Sequence, residues 1–351
     1  MNSSRRELIE SLFNAGYENL IKFELIYAED LSCINNMTRQ CELILDRSCR
    51  LLSNKIFMHA CPRDEMLNPG YSFAGIYNSY KPLACRTKKE NIYEGLFELS
   101  RSKLLPYADY YYGRNHLNRT EVVDILISEE LRDVRGSGTV YVSENWCLGQ
   151  YFVSPISYFT REATKFSSFT INNLIEEKIC KVAKDAYMIT NISSDIEFVI
   201  DIYNNVYISE IRPISRVHLK NMNLCLTSGF DELKLQSSII NSVSEAKGEI
   251  VCIDESGNWK TYLSDPTKKI FVLNYSKASL NDFLIEIWKN STANLNVIIN
   301  YDDYIIDNHE QYMCYEDSGI NFMTKTINEE FVNGSTIQIK SNGCKNVIYR
   351  G

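Results

Sequence analysis

Apolar positions recur at helical spacing near the start of the chain. Leu8, Ile9, Leu12 and Phe13 form one stripe, and Cys41, Leu43, Ile44 and Leu51 suggest another. Residues 1–55 therefore read as mostly helical. Lys55–Ala60 is strand-like and runs into the turn-rich CPRDEMLNPG. A helical pattern follows around Ile92–Leu105. The tyrosines Tyr107, Tyr110, Tyr111 and Tyr112 read first as packing of a helical segment and second as a surface for stacking a base. Val122–Glu129 and Thr139–Val142 are strand-like, with the charged RDVRGSG between them. The glycines at 136 and 138 read as a turn rather than a phosphate loop. Leu174–Tyr187 is amphipathic, with Leu174, Ile175, Ile179, Val182 and Ala186 near helical period.

The most informative stretch is DIEFVIDIYNNVYISEIRPISR, Asp195 to Arg216. Its first half alternates acidic and apolar residues, its second is β-branched and aromatic, and Tyr203-Asn204-Asn205 supplies a turn. This predicts a hairpin on which Glu197, Glu210 and Arg212 share one face. Two carboxylates suit Mg²⁺, and an arginine beside them suits a phosphate. An ordinary antiparallel pair with a surface Glu–Arg ion pair meets the same spacing.

Residues 217–245 carry no strong periodic signal and read as a linker with helical pieces. Beyond them GEIVCID, KKIFVLNY and NLNVIINY read as strands. Ser279–Lys289 reads as a helix that turns Leu280, Phe283, Leu284, Ile287 and Trp288 inward. A loop, a helix and a hairpin, STIQIKSNGCKNVIY, close the chain. The alternation predicts a second α/β unit of roughly a hundred residues.

Composition narrows the classes. The 351 residues leave room for two modest domains, and 44% hydrophobic content argues against disorder. A net charge of −8 offers no global basic field, so nucleic acid is not an expected partner. The N-terminus lacks a signal-peptide core, and no apolar run approaches the ~20 residues of a membrane span. Eleven singly scattered cysteines without C-x-x-C spacing suggest neither a zinc ribbon nor a disulfide scaffold, and a cytoplasmic location is expected. The four histidines, His59, His116, His218 and His309, are too few for a histidine-rich metal site; His116 and His218 read as solvated surface residues.

The hairpin also resembles the end of the ATP-grasp nucleotide-binding domain in the phosphoenolpyruvate synthase, pyruvate phosphate dikinase and rifampin phosphotransferase group. The pattern there is D-I-E-W-A-I-D, a turn, then Y-I-L-Q-A-R-P-I. Asp195, Ile196, Glu197, Ile200 and Asp201 match the first strand, and Tyr207, Ile208, Arg212, Pro213 and Ile214 the second. Glu210 stands where the group has Gln. The segment Phe57–Tyr80 is similar to its V-R-S-S-x-x-x-E-D and S-F-A-G-Q region through Ser72, Phe73, Ala74 and Gly75. Ser79 falls at a Thr that touches the nucleotide. His59 replaces the phosphate-binding arginine, and a histidine cannot fork onto a phosphate; a half-buried strand residue is the other reading. Ile125–Glu144 resembles the strand, turn and S-G-V-x-F-T of the group. That puts Glu129 at the hinge Gln that reads adenine, or leaves it as a solvent-facing strand end.

The C-terminal part resembles the group's swivelling phosphohistidine domain. Asn308, His309, Glu316, Gly319 and Ile320 align with G-G-x-T-S-H-A-A-I-x-A-R-E-L-G-I-P, and the last strands match its ending. Asp307-Asn308 replaces T-S, and Glu310 replaces a small residue. A histidine at a helix N-terminus can carry a phosphoryl group; a plain loop or helix-cap residue is the alternative.

The resemblance implies an α/β (α+β) chain. An incomplete ATP-grasp-like domain spans 1–217, a linker 218–245, and a small swivelling phosphohistidine-like domain 246–351. It implies ATP and Mg²⁺ (or Mn²⁺) as cofactors, held by His59, Gly75, Ser79, Glu129, Glu197, Glu210 and Arg212, with Glu197 and Glu210 as metal ligands. His309 would pass a phosphoryl group to a small-molecule acceptor. The group's K-G-x-N-L-G segment and its phosphoenolpyruvate-binding barrel have no counterpart. A degenerate nucleotide-sensing or partner-binding member, or one part of a split enzyme whose partner protein supplies the missing lobe, is the alternative expectation.

Overall fold

The computed structural model describes residues 4–68, 70–73, 76–77, 79–102, 106–120, 122–131, 133–153, 164–168, 171–216, 219, 243–253, 257–274, 283, 285–287, 289–290, 295–301, 319–326, 331–342 and 346–350. In chain order its helices and strands are α1 (Arg5–Asn14), β1 (Phe23–Ile26), α2 (Ala28–Ser32), α3 (Met37–Arg47), β2 (Ile56–Pro62), α4 (Asp64–Leu67), β3 (Ser79–Tyr80), α5 (Lys88–Ser102), α6 (Pro106–Arg114), β4 (Val123–Glu129), β5 (Val134–Val142), β6 (Cys147–Val153), β7 (Thr164–Ser167), α7 (Leu174–Thr190), β8 (Ser194–Asp201), β9 (Val206–Pro213), β10 (Val243–Ile253), β11 (Lys269–Asn274), β12 (Leu295–Tyr301), β13 (Ile320–Thr326), β14 (Thr336–Asn342) and β15 (Asn346–Arg350). They form two mixed α/β units. One comprises residues 1–105 and 118–214, the other residues 106–117 and 215–351.

The first unit holds two antiparallel sheets, ordered β1-β4-β2-β3 and β7-β6-β5-β8-β9. The five-stranded sheet buries one face under α1 and α7. Val140, Val142, Ile196, Phe198, Ile200, Val206, Ile208 and Ile211 meet Leu8, Leu12, Ile179 and Ala183 there. The stripes behind this packing were legible in sequence, with differences at their ends. Phe13 is 62% exposed and Leu174 63%, so neither joins the core. α1 starts at a capping box, in which Ser4 Oγ accepts from Glu7 N and Glu7 returns the bond to Ser4 N.

A charged knot binds α1, α2, β2 and β4. The fully buried Asp124 accepts from Ala28 N (2.8 Å), Arg6 Nη1 (3.0 Å), and Arg63 Nη2 and Nε (2.9 and 3.1 Å). Arg63 also forks onto Glu29. Asp124 is therefore a buried charge whose lone pairs are satisfied, which a low-dielectric interior requires.

Three sequence expectations are corrected. The region 1–55 is interrupted by β1, which pairs with β4. RDVRGSG is not a turn: Val134–Gly138 is already strand, and the turn ends at Asp133, whose φ is 58°. A glycine is needed inside β5 because Phe198 lies over Gly138. A Cβ there would sit 2.1 Å from Gln150 O and 2.8 Å from the Phe198 ring. Finally, Ile320 opens β13, a strand parallel to β12, where the sequence reading has only a loop and a helix before the closing hairpin.

In the second unit the sheet order is β13-β12-β11-β10-β14-β15. β10 to β13 run parallel, β14 is antiparallel to β10, and β15 closes a hairpin. Parallel strands covered on both faces read as unbroken apolar runs, which explains the legibility of KIFVLN and LNVIINY. Ile250, Ile270, Val272, Ile298, Ile337 and Ile339 form one core. Phe271 and Trp259 pack on Phe283 at ring distances of 6.1 and 5.2 Å. In α6, Tyr111 and Tyr112 are buried and meet edge to face at 6.2 Å, so they pack rather than present a stacking surface. His116 is exposed with φ 52° just past that helix. No described helix is long and apolar enough to cross a membrane.

Gly138→Ala should lower stability by about 1–3 kcal/mol through backbone overlap. A urea midpoint equal to that of the parent chain would contradict this account of β5.

Candidate functional site

The site is built by a one-residue irregularity. β8 and β9 pair Phe198 with Ile208 and then Glu197 with Glu210, leaving Ser209 as an extra residue on β9. Successive strand residues alternate faces, so an unbroken β9 would turn Glu210 and Arg212 to the same side as Val206 and Ile208. The bulge reverses that parity. Ile211 enters the core instead, and Glu210 and Arg212 move to the opposite face beside Glu197 and Asp195. Asp201 holds the hairpin turn, accepting from Tyr203 N and Asn205 N, each at 2.8 Å, with Asn204 at φ 62°.

Two polar rows cross that face. One pairs Gln150, Thr139, Glu197 and Glu210 across β6, β5, β8 and β9; the next pairs Tyr141, Asp195 and Arg212. Arg212 Nη2 lies 2.9 Å from both Glu197 Oε1 and Glu210 Oε1, and its Nε lies 4.0 Å from Asp195 Oδ2. Glu210 and Arg212 side chains are 5% and 4% exposed, whereas Glu197 is 30% exposed. Glu197 thus forms the open edge of an otherwise buried charge cluster. Gln150 is 1% exposed, and its Oε1 finds no hydrogen-bond donor among the described residues.

The facing groups come from α1, α4 and β2. Arg5 Nη1 reaches Glu210 Oε1 at 2.8 Å and Ala60 O at 3.2 Å. Arg5 N donates to Glu65 Oε2 at 2.7 Å. His59 Nδ1 lies 3.5 Å from Glu210 Oε2 and 3.2 Å from Ser79 Oγ, and its ring stacks on Phe57. Burial works against the Arg5 charge, but Glu210, with help from Glu65, holds its pKa above the ordinary value. Burial pushes the Glu65 carboxyl up despite Arg5. Burial also raises the Cys61 thiol to about 12, so this cysteine beside the cluster is not a thiolate nucleophile.

The structure thus brings His59, Ser79, Glu197, Glu210 and Arg212 together. Glu129 ends β4, and its carboxylate accepts from Leu52 N (2.7 Å) and Ser53 N (3.4 Å), holding the preceding turn. Gly75, His218, His309 and nearly all of 218–245 lie outside the described residues. Sequence reasoning missed Arg5, Glu65, Thr139 and Gln150. One signal pointed to Arg5: a basic residue in the first turn opposes the helix dipole, so its charge serves something other than the helix. A separate cleft of about 430 Å³ is lined by Leu31, Met37, Leu96, Leu99, Ile125 and the Arg63–Glu29 pair, and shares no residue with the cluster.

The donor set fits a hard divalent cation. Glu197, Glu210 and Asp195 supply carboxylate oxygens, the ligands that Mg²⁺ and Mn²⁺ favour. Among the described residues no three His, Cys, Asp or Glu side chains already form a cation cage. Arg212 lies between Glu197 and Glu210, so a shared cation needs it to move.

No family model matches the chain. No curated protein matches it either. Among solved structures, the D-alanine-D-alanine ligase from Coxiella burnetii is 12% identical with a TM-score of 0.34, over 62% of this chain and 50% of that one. The N5-carboxyaminoimidazole synthase from Aspergillus clavatus, in complex with ADP and 5-aminoimidazole ribonucleotide, is 10% identical with a TM-score of 0.35, over 63% and 46%. The L-amino acid ligase from Bacillus licheniformis is 9% identical with a TM-score of 0.33, over 63% and 43%. The chain spans about half the length of these structures. At such TM-scores the likeness is too weak to assign a fold, and the functional reading rests on the bulged hairpin.

Because burial raises the Glu65 pKa, its protonated form favours the fold. That contribution is full below the ordinary Glu pKa of about 4.3 and is lost as pH rises through the raised folded value. Glu65→Gln keeps an acceptor for Arg5 N and removes the titration. Thermal stability near neutral pH should rise and its slope with pH flatten; an unchanged slope would contradict the buried-carboxyl account.

Proposed function

We propose that this chain is a shortened ATP-dependent phosphotransferase, with an incomplete ATP-grasp-like nucleotide-binding unit and a swivelling phosphohistidine-like unit. The observation that carries the reading is the convergence of Glu197, Glu210 and Arg212 on one polar face, through the bulge at Ser209. The matched sequence pattern of the hairpin supports the same assignment.

On this reading Glu197 and Glu210 hold Mg²⁺ or Mn²⁺, which when bound neutralises phosphate charge. Arg212 holds a phosphate oxygen. Ser79 and His59 line the phosphate side, where the sequence resemblance would also put Gly75. Glu129 would have to release Leu52 N and Ser53 N for its side chain to read a base. Catalysis is then positioning and charge compensation, with little covalent work by the first unit. His309 would act as the nucleophile: a nitrogen–phosphorus bond forms as the phosphorus–oxygen bond to the nucleotide breaks. The phosphoryl group then passes to a small-molecule acceptor. The expected location is cytoplasmic.

A second reading is a non-catalytic nucleotide-sensing or partner-binding member, or one part of a split enzyme. It is favoured by the occupation of Glu210 by both Arg5 and Arg212.

Incubation with ATP and Mg²⁺ followed by intact-mass measurement separates the readings. The first expects one phosphoryl adduct, lost in His309→Ala, and metal-dependent ATP binding weakened at least tenfold in Glu197→Gln. Metal-dependent binding without an adduct supports the sensing reading. Absence of both binding and adduct would overturn the nucleotide assignment.

A further inference from the structure

α1 does not need Arg5. Ser4 and Glu7 already cap the helix, and a cation at its first position opposes the dipole. Yet the Arg5 side chain is carried inward until the residue is only 6% exposed. Burying a long cationic side chain costs both solvation and rotamer freedom. Its destination is specific. Arg5 Nη1 and Arg212 Nη2 lie 2.8 and 2.9 Å from the same atom, Glu210 Oε1. Two guanidinium groups from different elements thus converge on one carboxylate oxygen.

We propose that Arg5 and Arg212 form an anion subsite for a phosphoryl group, and that Glu210 is the internal anion that competes for it. A phosphoryl group has three oxygens to spread over two guanidinium forks; one carboxylate oxygen is a poor match for both. The Arg5 Nε–H is buried and has no acceptor among the described residues, so a further ligand oxygen would satisfy a donor that the protein leaves over. His59 lines the same carboxylate, 3.5 Å from Glu210 Oε2.

A consequence follows if Glu210 is also a cation ligand, a step that rests on the function proposed above. Engaging Glu210 on a cation frees Arg5 and Arg212 for phosphate, and phosphate on the arginines frees Glu210 for the cation. Each ligand then raises affinity for the other. Arg5 is a binding residue in this scheme, and Glu210 sets the requirement for metal.

The test is calorimetric titration of the full chain with inorganic tripolyphosphate, with and without Mg²⁺, and with Mg·ATP in parallel. The parent chain should bind tripolyphosphate at least tenfold tighter with Mg²⁺ than without. Glu210→Gln should bind metal-free tripolyphosphate at least tenfold tighter than the parent. Adding Arg5→Gln should abolish that gain, and Arg5→Lys should restore part of it. The double variant removes both partners of the Arg5–Glu210 pair and leaves Arg212 with Glu197, so its fold is expected to survive. No gain in Glu210→Gln, or a gain that persists without Arg5, overturns the subsite. If Mg·ATP binds the parent and Arg5→Lys equally, with no gain in Glu210→Gln, the subsite fails and the nucleotide reading stands. If Mg·ATP does not bind but the Arg5-dependent gain appears, the nucleotide reading fails and the subsite stands.

Discussion

A single extra residue, Ser209, decides which side of the sheet carries the chemistry. A regular β9 would keep Val206 and Ile208 in the core but would turn Glu210 into it and Ile211 out of it. The bulge instead exchanges Ile211 for Glu210 at the core and places Glu210 opposite Glu197 and Arg212 opposite Asp195. Two carboxylates directly opposed on neighbouring strands repel unless a cation lies between them. Arg212 does so here, and Arg5 arrives from α1 to share Glu210. The position of α1 is thus tied to the same carboxylate as the hairpin.

Such a cluster is an expensive way to hold a fold. Well-packed apolar side chains often stabilise a buried site as well as an ion pair does, while removal of one partner typically costs about 3–5 kcal/mol. The Asp124 knot shows what a structural version looks like in this chain: one fully buried carboxylate with donors on both oxygens. The hairpin cluster differs in that the Nε–H of Arg5 and the Oε1 of Gln150 have no partner among the described residues. Structural networks close their donors and acceptors; binding sites keep some for a ligand.

Much of this was legible in the sequence, for physical reasons. The hairpin announced itself because its charged residues alternate with β-branched ones, and the spacing of Val206, Ile208 and Ile211, two and then three, already encodes the bulge. The parallel strands of the second unit read as apolar runs because both faces are covered. What was missed depends on contacts distant in sequence. β1 is four residues long and exists through its pairing with β4. Gly138 reads as a turn residue until Phe198 is placed over it. Arg5 carries no local sign of its partner, which lies on β9 at the far end of the unit's sequence. Gln150 and Thr139 look like ordinary strand residues until the register puts them in a row with Glu197 and Glu210.

The central claim is that the polar face of the five-stranded sheet receives a ligand and is not merely a buried ion-pair network. Amide hydrogen exchange with and without Mg·ATP reports on this directly, segment by segment. The account predicts slowed exchange at the β8–β9 hairpin and at the first turns of α1, together, and no change in the cleft beside Leu96 and Leu99. Unchanged exchange at both segments, or protection confined to the cleft, would contradict it.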